Sequence, residues 1–174
     1  MTFTKEEVFK MCDIEAPKLG LDPKLVFAVC LQEGAKNSSG DFEPDIARLE
    51  QGYYRKYVEP GNLATTSEVL LSASYGIMQM MGLSLKEAGY FQWYFMKQTS
   101  EKRARLGHPL SQIAIPTAID EYCENLEWMI KWGSGWLDSK IKRAGGDVEK
   151  GLGLWNGDKT GKYANEVLAR LRQL

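Results

Sequence analysis

Glu33 ends a run with no charged side chain in it, Leu25-Val26-Phe27-Ala28-Val29-Cys30-Leu31, followed by Gln32 and then Gly34. At helical spacing such a run is apolar on every side, the mark of a helix buried at the centre of a fold. A carboxyl group at its end loses hydration, which disfavours the charged form and raises the pKa. That is the property a general acid needs near neutral pH. The plain alternative is a surface group at an exposed helix end, or one paired with Lys36, since most glutamates are exposed.

Two further constellations carry polar groups in unusual settings. In Ala73-Ser74-Tyr75-Gly76-Ile77-Met78-Gln79-Met80-Met81 a glycine interrupts an apolar stretch. Inside a helix that costs about 1 kcal/mol, so a close approach of backbone or ligand is implied. Gln79 stands among methionines and can donate and accept toward a sugar amide or hydroxyl. In the third, Gly145-Gly146-Asp147 leads to Gly151-Leu152-Gly153-Leu154-Trp155-Asn156-Gly157 and on to Tyr163. Glycines clear space there, while Trp155, Asn156 and Tyr163 suit a groove that stacks and hydrogen-bonds sugars. Alone, the first of these also fits a core helix with a small packing residue, and the second a glycine-capped helix pair with buried aromatics.

The elements that must position these groups are helical. Thr4 and Glu7 form a capping box that predicts a helix over 4–18, stopped by Gly20. Asp22-Pro23 reads as cap and first residue of a helix over 24–33. A loop with a short helix follows to about 61, then a helix over 67–72, another beginning at 75–81, and a helical turn at 84–89. Residues 93–110 are polar and mixed. One long amphipathic pattern spans 116–143; Trp93, Trp128, Trp132 and Trp136 either stack sugars or fill the core, and the last three, four apart, read more naturally as one buried helix face. Helices over 148–155 and 161–174 close the chain. No stretch alternates convincingly with period two, so a mainly α single domain with little or no β-sheet is expected.

Composition narrows the class of function. A chain of 174 residues with 44% hydrophobic and 11% aromatic content has enough material for one sizeable core. A net charge of −1 speaks against a nucleic-acid binder that works by neutralising phosphates. No apolar run is long enough for stable membrane insertion, and the start has no basic segment followed by an apolar one, so synthesis in the cytoplasm without a signal peptide is expected. Cys12, Cys30 and Cys123 are expected as buried free thiols. Nucleotide, metal and covalent cofactor motifs are missing from the sequence, so no cofactor is expected.

The order of the three constellations resembles one family. A helix ending Gln-Glu-Gly, then Ser-x-Gly-Ile-Met-Gln, then Gly-Gly-Asp with Trp-Asn-Gly and Tyr-x-x-x-Val is similar to the soluble lytic transglycosylase and goose-type lysozyme superfamily. The likeness runs over about residues 21–171. It implies a lysozyme-like fold around a central helix, with Glu33 as the catalytic acid. The segment that lines the cleft in that family falls on Ser74, Tyr75, Gly76, Met78 and Gln79, with Met81 two residues beyond. Gln79 would hold the sugar beside the cleaved bond, and Trp155, Asn156 and Tyr163 would complete the groove. The stretch Arg48-Leu49-Glu50-Gln51-Gly52-Tyr53-Tyr54-Arg55-Lys56-Tyr57-Val58 looks like one common in phage-encoded members, and its glutamate falls on Glu50.

One position departs from the family. Many members carry Ala-Tyr-Asn-x-Gly where this chain has Leu154-Trp155-Asn156-Gly157, and tryptophan has no hydroxyl to place near the acid. The resemblance implies a monomer acting on peptidoglycan glycan strands at the cell wall after release or delivery. It implies cleavage of the β-1,4 bond between N-acetylmuramic acid and N-acetylglucosamine, with transglycosylation preferred to hydrolysis. Hydrolysis would call for a second carboxylate, for which Asp41, Glu43, Asp45 and Glu50 are candidates. A non-catalytic glycan-binding protein of the same fold is the competing expectation.

Overall fold

The computed structural model describes residues 1–45, 47–49 and 66–174, with Thr66 in its backbone only. Glu50 and the whole aromatic stretch that follows it lie outside the described residues. Among the described residues, 64% are helical, in ten helices, and a small three-stranded sheet is present.

The N-terminal half shows how local chemistry sets the frame. Helix α1, Lys5–Glu15, starts at the expected capping box: the Glu7 amide donates to the Thr4 hydroxyl at 3.2 Å and the Thr4 amide to the Glu7 carboxylate at 2.8 Å. A 3-10 turn, Ala16–Leu19, carries the chain to Gly20, whose φ of 73° ends it. Helix α2, Pro23–Glu33, begins where Asp22 accepts the Lys24 amide at 2.9 Å. All six residues from Leu25 to Cys30 are buried. Helices α1 and α10 (Lys162–Leu171) pack on α2, so its side chains meet protein on most sides.

The stretch 73–81 is not the start of a helix. It folds as a hairpin, with β2 at Ala73–Tyr75 and β3 at Met80–Met81; β1, Arg48–Leu49, joins β2 on its other edge. Both pairings are antiparallel, Arg48 opposite Ser74 and Ser74 opposite Met81. Strands this short show no period of two, so apolar content alone mimicked a helix. The turn explains Gly76. Its φ is 71°, and a Cβ there would lie 2.9 Å from the Tyr122 ring and 2.8 Å from the Met129 sulfur.

Short helices surround the hairpin: α3 at Thr66–Leu71, α4 at Gly82–Glu87, α5 at Tyr90–Lys97 and α6 at Ser100–Leu106. The polar stretch 93–110 therefore holds helical residues, the second helix capped by Thr99. The long pattern over 116–143 is two helices, α7 at Ala114–Glu124 and α8 at Leu126–Arg143. Asn125 divides them, leaving helical geometry and accepting the Trp128 amide at 3.0 Å. Helix α9, Val148–Asn156, lies against α8, its approach made possible by Gly151, where a Cβ would sit 2.8 Å from the Ile141 Cα.

The buried side chains form one hydrophobic cluster. All three cysteines are free and buried. Burial pushes the Cys123 thiol up to about 12 and the Cys30 thiol well above its ordinary range. Among the described residues no helix is long and apolar enough to cross a membrane.

Candidate active site

A cleft of about 270 Å³ opens where the end of α2 meets the hairpin, α8 and α9. Glu33 lies in it with Gln79 and Ser74 from the hairpin, and Trp155 and Asn156 from α9. Three stretches far apart in sequence thus converge on one space.

Glu33 is held from several directions. Its side chain is 9% exposed, and the Trp155 indole N–H donates to one carboxylate oxygen at 3.4 Å. The Arg48 guanidinium stands 3.7 Å from the other oxygen, its own side chain 61% exposed. Behind the cleft, the neighbouring Gln32 ties α2 to α10, donating to Glu166 at 2.8 Å and accepting from Arg170 at 2.6 Å. At Gly34 a Cβ would lie 2.6 Å from the Phe42 ring. Lys36 donates to the backbone carbonyls of Leu31 and Gly34 at 2.9 and 2.8 Å, covering the end of α2.

Tyr163 is buried in α10, and its hydroxyl makes no hydrogen bond among the described residues. Burial raises its pKa, and the adjacent Glu33 charge raises it further, so the hydroxyl stays protonated. Asp158 fixes where Tyr163 begins its helix. One of its oxygens accepts the Tyr163 amide at 2.8 Å, the other the Thr160 amide and hydroxyl, each at 2.7 Å. The Thr160 hydroxyl, followed by the Tyr163 and Thr160 amides, holds the Asp158 carboxyl down to about 2.

Gln79 occupies a strained place. It is the only non-glycine with positive φ among the described residues, at 47°. Such a conformation is uncommon outside glycine, asparagine and aspartate, and concentrates at functional sites. Its side-chain amide donates to the Gly76 carbonyl at 2.9 Å, bracing the turn that puts it at the cleft wall.

Of the residues expected to bind substrate, Ser74, Gln79, Met81, Trp155 and Asn156 line the cleft. Tyr75, Gly76 and Met78, named with them, are not among the described residues that line this cleft. Successive strand residues point to opposite sides, and Tyr75 turns away to donate to the Leu70 carbonyl at 2.8 Å. Met78 is fully buried beside Gly133 of α8. Glu50 lies outside the described residues. Tyr163 borders an adjoining polar groove with Thr160, Lys162 and Glu166, and Asn156 lines both spaces.

Arg48, Met80 and Ser84 also line the cleft and carried no such expectation; Trp136 lines it too, where sugar stacking stood as the alternative to a buried helix face. Trp136 had a usable signal. Residues four apart on a helix of 3.6 residues per turn drift by about 40°, so Trp136 lies roughly 80° around from Trp128. Glu33 is the only carboxylate among the described residues that lines the cleft. Asp45 pairs with the amine of Met1 at 2.8 Å and borders a different pocket. No three His, Cys, Asp or Glu side chains among the described residues are grouped to hold a metal ion.

The arrangement can deliver one proton to a polar ligand held between amide, hydroxyl and indole groups. In comparisons with family models, curated proteins and solved structures, the chain finds no match.

Proposed function

We propose that the protein cleaves peptidoglycan glycan strands between N-acetylmuramic acid and N-acetylglucosamine, as a lytic transglycosylase with Glu33 as its acid and base. The observation that carries this reading is the nearly buried Glu33 carboxyl, contacted by the Trp155 N–H, in a cleft that also presents Gln79 and Asn156. The order of motifs in the sequence supplies the substrate class.

In this mechanism Glu33, protonated when the strand binds, gives its proton to the glycosidic oxygen as the C1–O4 bond breaks. The departing N-acetylglucosamine keeps that proton as its 4-hydroxyl, and positive charge develops at C1 of the muramyl ring. The Glu33 carboxylate then takes the proton of the muramyl 6-hydroxyl as its oxygen bonds to C1, forming the 1,6-anhydro end. No water is consumed, and Glu33 ends protonated as it began.

Trp155 takes the place where many members of the superfamily the sequence resembles carry tyrosine. An indole N–H can only donate. It therefore serves the carboxylate produced by the first step, while the Tyr163 hydroxyl lies buried nearby.

Digestion of purified sacculi followed by mass spectrometry tests the proposal. Products ending in 1,6-anhydromuramic acid are expected from the wild type, and none from Glu33→Gln. Reducing ends throughout would replace transglycosylation by hydrolysis. Binding without any cleavage would make the protein a glycan-binding module.

A further inference from the structure

Helix α8 carries three tryptophans, and the structure separates their roles. Trp128 and Trp132 pack on Trp93 at centroid distances of 5.1 and 5.5 Å, with Tyr90 beside them. Trp136, one turn further, leaves that cluster and lines the cleft with Glu33, Gln79 and Trp155. Its indole is only partly buried and borders a space lined by Glu33, Ser74, Gln79 and Asn156 as well as by Met80, Met81 and Trp155. A half-buried tryptophan in a mixed cleft gains by meeting a flat, weakly polar partner.

The indole is also held in place. The Lys140 ammonium lies 4.1 Å from its ring centroid, one turn along the same helix, and burial lowers the Lys140 pKa. A cation over a ring face draws on the negative π-surface and fixes the ring plane. The C–H face of a pyranose carries partial positive charge and matches such a surface in the same way, with area to bury. Ser84 adds a hydroxyl to the lining of the cleft.

We propose that Trp136 is a sugar-stacking platform, taking the pyranose ring of an N-acetylated hexosamine unit and setting how tightly the strand is held beside Glu33. The inference rests on the glycan reading of the cleft, but its test does not need turnover. Trp136 is a binding residue here and takes no part in the proton transfer assigned to Glu33.

The test measures binding of a chitin hexasaccharide by calorimetry in the Glu33→Gln background, so that no cleavage interferes. Trp136→Ala is expected to weaken binding roughly tenfold, with the thermal midpoint nearly unchanged. Trp136→Phe, which keeps a flat ring, should stay within about threefold of the parent, while Trp136→Leu, apolar but not flat, should fall with alanine. In the active enzyme the alanine change should raise KM and leave kcat largely intact. Binding by the leucine variant as tight as that of phenylalanine would overturn the stacking role. So would alanine binding within twofold of the parent. If the Glu33→Gln parent itself does not bind the hexasaccharide, the glycan reading fails with it; if only the Trp136 effects are missing, that reading stands and this inference falls.

Discussion

The two ends of α8 use the same side chain for opposite purposes. At its start, Trp128 and Trp132 meet Trp93 and Tyr90 edge-to-face, and ring area is spent on ring area. Further along, Trp136 borders a cleft whose other walls carry a carboxyl, an amide and a hydroxyl. The first region is a cluster of half-buried indole rings packed on one another and against the core, and it supports the fold. The second leaves aromatic surface and polar groups facing a space that a ligand could fill. The difference teaches that residue type and spacing place an aromatic on a helix, while the slow rotation of the helix decides whether it meets core or cleft.

The sharpest way to break this division is a crossed pair of variants. Glu33→Gln should lower activity about a thousandfold, the scale of a lost general acid, with little change in thermal midpoint. Trp132→Ala should do the reverse, costing about 3 kcal/mol and lowering the midpoint by on the order of 10 °C, while activity on sacculi at low temperature persists. Calorimetry and a turbidity assay on the same preparations decide it. If Glu33→Gln unfolds the protein, or Trp132→Ala abolishes cleavage while folded, the separation of core from cleft is wrong. Trp132 carries a buried indole N–H with no partner among the described residues, so its contribution is packing rather than hydrogen bonding.

A smaller effect should come from Gly151, where α9 crosses α8 and so sets the Trp155 wall of the cleft. Alanine would place its Cβ 2.6 Å from the Ile141 Cγ1 and 2.8 Å from its Cα, and backbone cannot yield as a side chain can. Overpacking of this kind costs about 1–3 kcal/mol. The thermal midpoint should fall by several degrees, with KM for glycan rising as α9 shifts. An unchanged midpoint would mean that the two helices separate freely, and that the cleft wall is less fixed than the contact implies.

How much of this was legible in the sequence differs between its parts. Caps could be read from single residues: Thr4 with Glu7, Asp22 and Asp147 each accept the amide their type predicts. The apolar run before Glu33 announced a buried helix, because six consecutive buried positions leave little room for another reading. The hairpin at 73–81 was not legible, since two- and three-residue strands carry no period and their geometry is imposed by Tyr122 and Met129 behind Gly76. Motif order brought Glu33, Gln79 and Asn156 together but not Arg48, whose place depends on pairing with Ser74 across the sheet. Met78 sits next to Gln79 in sequence and belongs to the core, because side-chain direction is a property of the turn and not of adjacency.

The smallest expected effect tests whether the turn before α10 serves the cleft or only the fold. Asp158 ionises at about 2 in the folded protein, below its ordinary 3.8, because Thr160 and the Tyr163 amide hydrogen-bond its charged form. A carboxyl depressed in this way adds stability that is present above about pH 4 and disappears as the pH falls toward 2. Asp158→Ala should therefore lower the thermal midpoint modestly at pH 7, and the gap to wild type should narrow between pH 4 and pH 2. Two melting curves that run parallel through that window would show that the hydrogen bonds contribute nothing net. The same substitution frees the start of α10, which carries Tyr163 to the neighbourhood of Glu33, so a modest loss of kcat should accompany it at pH 7. A drop in midpoint with kcat intact would assign the turn to folding alone, and would leave the Tyr163 hydroxyl without a part in the cleft's chemistry.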